Sequence, residues 1–338
     1  MPGPWSIDLS AVARSFTGMI PMPAFHCPLG SVYYDDQPCI DCGLCQAQTE
    51  QERVEASRKM REYIRAHAGR KSRCQKMAVC GKGGTGKSTL VALLANVFRQ
   101  EGYGVVVMDS DESNPGLPRL LGLGAPATPL SSLLERFSSG DRKPDASWLE
   151  AARISPEGIP REYVVSAPRL KLLTAGKIND PFQGCACQIA DLARDFVQKL
   201  NLGNREIMLI DTEAGIESFG RGVERGVDTV LIVVEPSYDS LALVEKIRYL
   251  AEGIGISTLY AVLNKIPSPE IEAELREEME KKGVKMAGTV YLDPRITHAG
   301  FRGEKLPDNT AAHAQAQKIA QTILCANEFP SPPGSVSG

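Results

Sequence analysis

Residues 76–327 predict a doubly wound, mostly parallel α/β domain, and three observations carry that prediction. The run Met77-Ala78-Val79-Cys80 enters a glycine-rich loop, Gly81 to Thr89, which leaves into Leu90-Val91-Ala92-Leu93-Leu94-Ala95. Val105 to Met108, Ile207 to Ile210, Thr229 to Val234 and Thr258 to Leu263 are apolar with no polar alternation, as strands buried on both faces of a sheet must be. Helix-forming stretches separate or follow them: Ile189 to Leu200, Ser240 to Glu252, Glu270 to Lys282 and, after a strand at Lys285 to Tyr291 and a loop, Thr310 to Ala326. Strands joined through helices pair in parallel, because a tight hairpin cannot make the crossover.

The loop reads Gly81-Lys82-Gly83-Gly84-Thr85-Gly86-Lys87-Ser88-Thr89. Its four glycines let the backbone curl so that successive N–H groups face phosphate oxygens, and the following helix adds its positive end. Lys87 then reaches the β- and γ-phosphates, and the Ser88 hydroxyl binds magnesium. Gly104 to Met108 ends in Asp109-Ser110-Asp111, and Arg205 to Ile210 ends in Asp211. Ligands bind at the carboxyl edge of parallel strands, so these acids are expected beside the phosphates, with Asp211 holding magnesium through water. Read without the loop, Asp109 and Asp111 are solvated loop acids and Asp211 a strand cap. Asn264-Lys265, after Leu263, reads also as a strand-ending turn.

Phosphate binding leaves Lys82 unexplained, since the cradle needs only the lysine near its end. In this second lysine the sequence resembles the deviant-Walker group of P-loop ATPases, which includes MinD, ParA and the nitrogenase iron protein. The resemblance implies hydrolysis of ATP to ADP with Mg2+, in a homodimer whose Lys82 contacts the partner's nucleotide. It further implies that Asp111 orients or deprotonates the attacking water and that Asp109 supports the magnesium shell. A Gly215 N–H near the γ-phosphate and Asn264 at the adenine edge, with Lys265 beside it, complete the implied site. Within that group, three segments look like the CooC-type carbon monoxide dehydrogenase maturation ATPases. They are Cys185-Ala186-Cys187 before a helix, Asp211-Thr212-Glu213-Ala214-Gly215-Ile216-Glu217, and Val234-Glu235-Pro236-Ser237. That likeness implies nickel insertion into carbon monoxide dehydrogenase or a related metalloenzyme.

Six of the nine cysteines fall into two groups. Cys185 and Cys187 alone cannot complete a tetrahedral centre, but two copies meeting across a dimer axis give four thiolates, suited to Zn2+ and accessible to Ni2+. A helix N-terminus favours the thiolate form. Taken by itself, C-x-C is also an incidental or a redox pair.

The second group belongs to residues 1–75, a Pro-, Gly- and Cys-rich module followed by a helical connector from Thr49 to Arg70. Cys39-Ile40-Asp41-Cys42-Gly43-Leu44-Cys45 resembles the first three ligands of a bacterial ferredoxin motif, although no C-x-x-x-C-P follows. Cys27 is the natural fourth ligand, with Cys74 or His26 behind it. A [4Fe–4S] cluster is the first reading, a structural Zn2+ the second, and unliganded thiols the third. Cys74, Cys80 and Cys325 read as small buried hydrophobes.

Residues 113 to 168 are Pro-, Ser- and Gly-rich and read as an insertion over one end of the sheet, without chemistry. Residues 328–338 read as a disordered tail. A net charge of −3 gives no basic face for nucleic acid, and the tail is no amphipathic membrane helix, which argues against a DNA- or membrane-positioning ATPase. Met1-Pro2-Gly3-Pro4-Trp5 has neither a basic segment nor an apolar signal core, so the chain reads as cytoplasmic. Two function classes remain: an ATP-driven metallochaperone, and an ATP-gated iron–sulfur electron-transfer protein that activates a metalloenzyme.

Overall fold

The computed structural model describes residues 75–111, 116–124, 127–134, 145–176, 186–214, 226–256 and 258–325, and single positions between 49 and 59. Cys27, Cys39, Cys42, Cys45, Cys185, Gly215 and the tail 328–338 lie outside the described residues. Positions 49–59 belong to a unit separate from the one that carries the sheet. There, Thr49 and Glu52 cap a helical stretch reciprocally, Glu52 N donating to Thr49 Oγ1 at 3.2 Å and Thr49 N to Glu52 Oε2 at 3.0 Å.

The larger unit is built on an eight-stranded sheet in the order β3-β4-β2-β5-β1-β6-β7-β8. The strands are β1 (Lys76–Gly81), β2 (Gly104–Asp109), β3 (Val165–Ala167), β4 (Leu170–Thr174), β5 (Glu206–Asp211), β6 (Thr229–Val234), β7 (Thr258–Ile266) and β8 (Lys285–Tyr291). All neighbours pair in parallel except β3 with β4. The helices are α1 (Lys87–Gln100), α2 (Leu117–Leu120), α3 (Ser147–Glu150), α4 (Ala186–Lys199), α5 (Tyr238–Gly253), α6 (Pro269–Lys281), α7 (Pro294–Arg302) and α8 (Ala311–Cys325).

The pleat divides the core. On β1, Met77 and Val79 pack with α1 and α8, whereas Ala78 and Cys80 pack with α4, α5 and α6. Residues with such surroundings on both faces must be apolar throughout, which is why the strands show no alternation. Among the described residues, no helix is long and apolar enough to cross a membrane.

Three expectations are corrected. The segment 113–168 is not a cover over one end of the sheet: Leu130, Leu149, Ile154, Ile159 and Tyr163 are buried in the core beneath α4, and Val165–Ala167 adds the antiparallel edge strand. The stretch after Tyr291, read as loop, contains α7; Asp293 caps it through Arg295 N at 2.9 Å, Pro294 opens it and Gly303 ends it at φ 64°. Those are a helix's own start and stop signals, hidden by the helix's shortness and its internal Gly300. Strand β7 runs on through Asn264 and Lys265 to Ile266, with an irregularity in its pairing to β8 there.

Helix α4, the one that begins at the Cys185/Cys187 segment, is fastened at its far end. Lys76 Nζ donates to the Val197 carbonyl at 2.6 Å, Lys199 Nζ to the Leu149 carbonyl at 2.7 Å, and Ile154 N to the Lys199 carbonyl at 2.8 Å. Asp228 accepts from the Gln75 and Lys76 amides at 3.2 and 3.0 Å, and burial pushes its carboxyl up and the Lys76 ammonium down. Phe196, fully buried, sits edge-on to Trp148 with ring centroids 6.1 Å apart. Phe196→Ala should cost about 3–5 kcal/mol, read as a lower midpoint in urea at unchanged slope.

Candidate nucleotide site

The loop at Gly81–Thr89 closes on itself before it can close on a ligand. The Lys82 carbonyl accepts from Thr85 N at 3.3 Å, from Thr85 Oγ1 at 2.9 Å and from Lys87 Nζ at 3.4 Å. Two glycines are dictated by this path. Gly81 lies at φ 146°, and a Cβ there would come within 2.5 Å of the Val233 carbonyl oxygen; Gly86 lies at φ 92°, and a Cβ there would run into the Asn264 amide. Gly83 approaches Ala214, the last described residue before Gly215, at ordinary contact distance, and Gly84 faces open space. Lys87 and Ser88 are buried in the first turn of α1, with Thr89 half-buried behind them.

Three acids meet the loop at the carboxyl edge. Asp109 and Asp211 end neighbouring strands in direct register, and Asp211 also pairs in register with Val79 of β1. Asp109 is buried and its Oδ1 accepts from the Asp111 amide at 3.1 Å, which turns Asp111 back toward the site. Ser110 N donates to the Asp211 carbonyl at 2.9 Å, and Thr212, which sequence reasoning passed over, fixes β5 to β1 through Val79 O at 3.0 Å.

Asp211 is fully buried, and among the described residues neither carboxylate oxygen has a well-formed hydrogen bond. Burial pushes its carboxyl up to about 7; the Ser88 hydroxyl, near but not in good hydrogen-bond geometry, and the Lys87 ammonium pull the other way, while Asp111 adds to the push. A buried carboxylate without partners is costly unless a cation or proton meets it. Hard cations take oxygen ligands, so Asp211 beside the Ser88 hydroxyl is a donor set suited to magnesium.

The opposite wall comes from β6 and β7. Asn264 donates its amide to the Thr85 carbonyl at 2.7 Å, and Lys265, left-handed at φ 57°, donates to the Gly84 carbonyl. Lys82 turns toward β6 and α5, with Nζ 3.8 Å from Glu235 and 3.4 Å from Asp239. Glu235 and Asp239 were also missed in the sequence, where nothing but the adjacency of β6 to β1 would have placed them here. Cys187 falls in the first turn of α4. Among the described residues, no group of three or more His, Cys, Asp or Glu is arranged to hold a metal.

A phosphate cradle, a lysine, and buried acids at the edge of a parallel sheet define a P-loop nucleotide-binding ATPase. The chain belongs to the CobQ/CobB/MinD/ParA nucleotide-binding domain family, whose model matches residues 76–306. It is 38% identical over 236 residues to an uncharacterized ATP-binding protein of Methanocaldococcus jannaschii, covering 68% of this chain and 93% of that one. It is 37% identical over 260 residues to the carbon monoxide dehydrogenase accessory protein CooC of Rhodospirillum rubrum, covering 74% of this chain and 96% of CooC. In structure it is similar to MinD of Pyrococcus horikoshii complexed with Mg-ADP, at TM-score 0.57, 16% identity, and coverage of 74% of this chain and 95% of MinD. MinD of Aquifex aeolicus gives TM-score 0.56 at 21% identity, covering 76% and 98%. The structural likenesses establish the fold; the sequence likeness to CooC narrows the group.

With its carboxyl pushed up to about 7, Asp211 keeps a proton between about pH 4 and pH 7 that the unfolded chain, with an ordinary carboxyl at 3.8, has already released. Asp211 therefore contributes stability that is fully present below the ordinary carboxyl value and is lost as pH rises through about 7. Between pH 5 and 8 without magnesium or nucleotide, parent stability should fall by about 2–3 kcal/mol more than that of Asp211→Asn, followed by chemical denaturation. Gly86→Ala should abolish ATP binding in calorimetry, since the Cβ displaces Asn264 from the loop and the residue stays left-handed.

Proposed function

We propose that the chain is a cytoplasmic metallochaperone that hydrolyses ATP as a nucleotide-dependent homodimer. It would assist nickel insertion into carbon monoxide dehydrogenase or a related metalloenzyme, with the metal carried by Cys185 and Cys187 of two subunits. The likeness to CooC, covering nearly all of that protein, carries the reading.

In this reading the backbone N–H groups of Gly83 to Thr89 and the Lys87 ammonium hold the β- and γ-phosphates. Ser88 and Asp211, supported by Asp109, hold magnesium, which when bound neutralises phosphate charge. Asp111 would position the attacking water, aided by its tether to Asp109, and the family resemblance assigns the Gly215 N–H to the γ-phosphate. Asn264, its amide already donated to the loop, keeps its oxygen for the adenine amino group. Lys82 reaches the partner's nucleotide once the dimer closes.

The geometry also supports a route to the thiols. Thr174 lies in register with Asp109, and Ala175 N donates to the Asp109 carbonyl at 2.8 Å. The chain then runs on to Cys185 and into α4, which is fastened at its opposite end. A shift at Asp109 on nucleotide binding thus bears on the segment that leads to the cysteines. Coupling requires the metal to bind the open and closed states with different affinity.

The N-terminal C-x-x-C-x-x-C favours a second reading, an ATP-gated iron–sulfur protein that supplies electrons to its client. A more distant likeness, 23% over 254 residues, to an iron–sulfur cluster carrier protein of Aquifex aeolicus accords with it. Metal and acid-labile sulfide content of anaerobically purified protein separates the two. The chaperone reading expects about one Ni2+ or Zn2+ per dimer, lost in Cys185→Ser/Cys187→Ser, and ATP turnover that changes with metal only in the parent. Iron with sulfide, lost in Cys39→Ser/Cys42→Ser and bleached by dithionite, supports the electron-transfer role. Turnover and dimerisation indifferent to metal would sink the chaperone reading.

A further inference from the structure

The carboxylate that faces the loop from β6 has two partners, and both are lysines that reach the phosphate cradle. Glu235 Oε1 lies 3.8 Å from Lys82 Nζ, and Oε2 lies 3.6 Å from Lys265 Nζ. Lys82 belongs to the loop; Lys265 donates to its Gly84 carbonyl. The Glu235 side chain is only 21% exposed, against 36% and 44% for the two lysines, so it is the fixed member of the trio. Its backbone is fixed too: Glu235 N donates to Ser240 Oγ at 3.2 Å, Ser237 N to the Glu235 carbonyl at 2.7 Å, and Ser237 caps α5. Asp239 takes a second ion pair with Lys82 at 3.4 Å but is 73% exposed, where screening leaves little interaction energy.

Lys265 shows that this contact is specified. Outside glycine a left-handed residue is uncommon and carries strain. At φ 57°, in the irregular stretch of β7, it directs its ammonium to the Gly84 carbonyl and Glu235. With Lys87 donating to the Lys82 carbonyl, three ammonium groups gather at one loop whose main-chain N–H groups already favour an anion.

We propose that Glu235 is a positioning residue for nucleotide binding: it holds Lys82 and Lys265 as a coupled pair at the mouth of the cradle and yields them to the polyphosphate. In the nucleotide-free protein the carboxylate compensates both ammonium groups. A triphosphate arriving in the cradle competes with it for these two groups, until dimer closure passes Lys82 to the partner's nucleotide, and is repelled by it. Glu235 thereby sets how tightly nucleotide binds, and loss of its charge strengthens binding. The inference rests on Gly81–Thr89 being the ATP site.

The test is calorimetric titration of the full chain with magnesium-ATP at low and high salt. Glu235→Gln should bind about threefold or more tighter than the parent at low salt, the gap narrowing at high salt. Glu235→Asp, which keeps the charge, should stay near the parent. In a Lys82→Met background the gain from Glu235→Gln should shrink. Binding by Glu235→Gln equal to or weaker than the parent, with an unchanged melting temperature, overturns the proposal. Should that variant not fold, Lys82→Met and Lys265→Met decide: coupled lysines give a double variant whose loss differs from the sum of the singles, and strict additivity overturns the proposal. Lys87→Ala serves as control, since parent-like affinity there would mean instead that the loop is not the ATP site.

Discussion

Asp211 is a fully buried acid with no well-formed hydrogen bond among the described residues and with the Ser88 hydroxyl and the Lys87 ammonium near it. The carboxyl edge of the sheet is arranged around that fact. β5 lies between β1 and β2, so the acid at its end stands between the loop on one side and Asp109 on the other. Removed from water and given no well-formed hydrogen bond, the group favours its protonated form or a bound cation. Buried strands, with apolar residues on both faces, are what hold it there. The same burial that makes the core makes the site unfinished without a ligand.

Much of this was legible in the residues, because parallel strands leave a simple record. Unbroken apolar runs mark strands with two covered faces, and the residue that ends each run falls at the ligand-binding edge. Asp109 and Asp211 could be placed beside the loop on that logic, whereas Asn264 came from the family resemblance alone. Glu235 and Asp239 could not be placed, since their role depends on β6 lying next to β1, an adjacency no local pattern encodes. The interior of 113–168 was equally opaque: Ile154 and Tyr163 are isolated apolar residues among Pro, Ser and Gly, and only the packing under α4 reveals them as core. For α7 the caps were present but the helix is short. The role of Lys265 lies in its backbone conformation, which sequence composition does not show.

Helix α4 joins two ends of the molecule with different character. Its C-terminal turn is tied to β1, to α3 and to the bridge at Ile154, and Phe196 of that turn packs against Trp148, which in turn packs against Tyr163. Its N-terminal turn carries Cys187 and follows directly from the segment that leaves β4 beside Asp109. In the proposed dimer, a small shift at the N-terminal end of this helix would change how the two Cys185/Cys187 pairs meet. Packed interiors transmit such shifts because they resist compression. On this account phosphate recognition and metal affinity are two readings of one sheet edge.

The most direct measurement is the affinity for Ni2+ with a non-hydrolysable ATP analogue and with ADP, in the parent and in Lys87→Ala. The account predicts that the parent binds Ni2+ several-fold differently in the two nucleotide states, and that Lys87→Ala shows no difference. Equal affinity in both states of the parent, with both nucleotides bound, would contradict it.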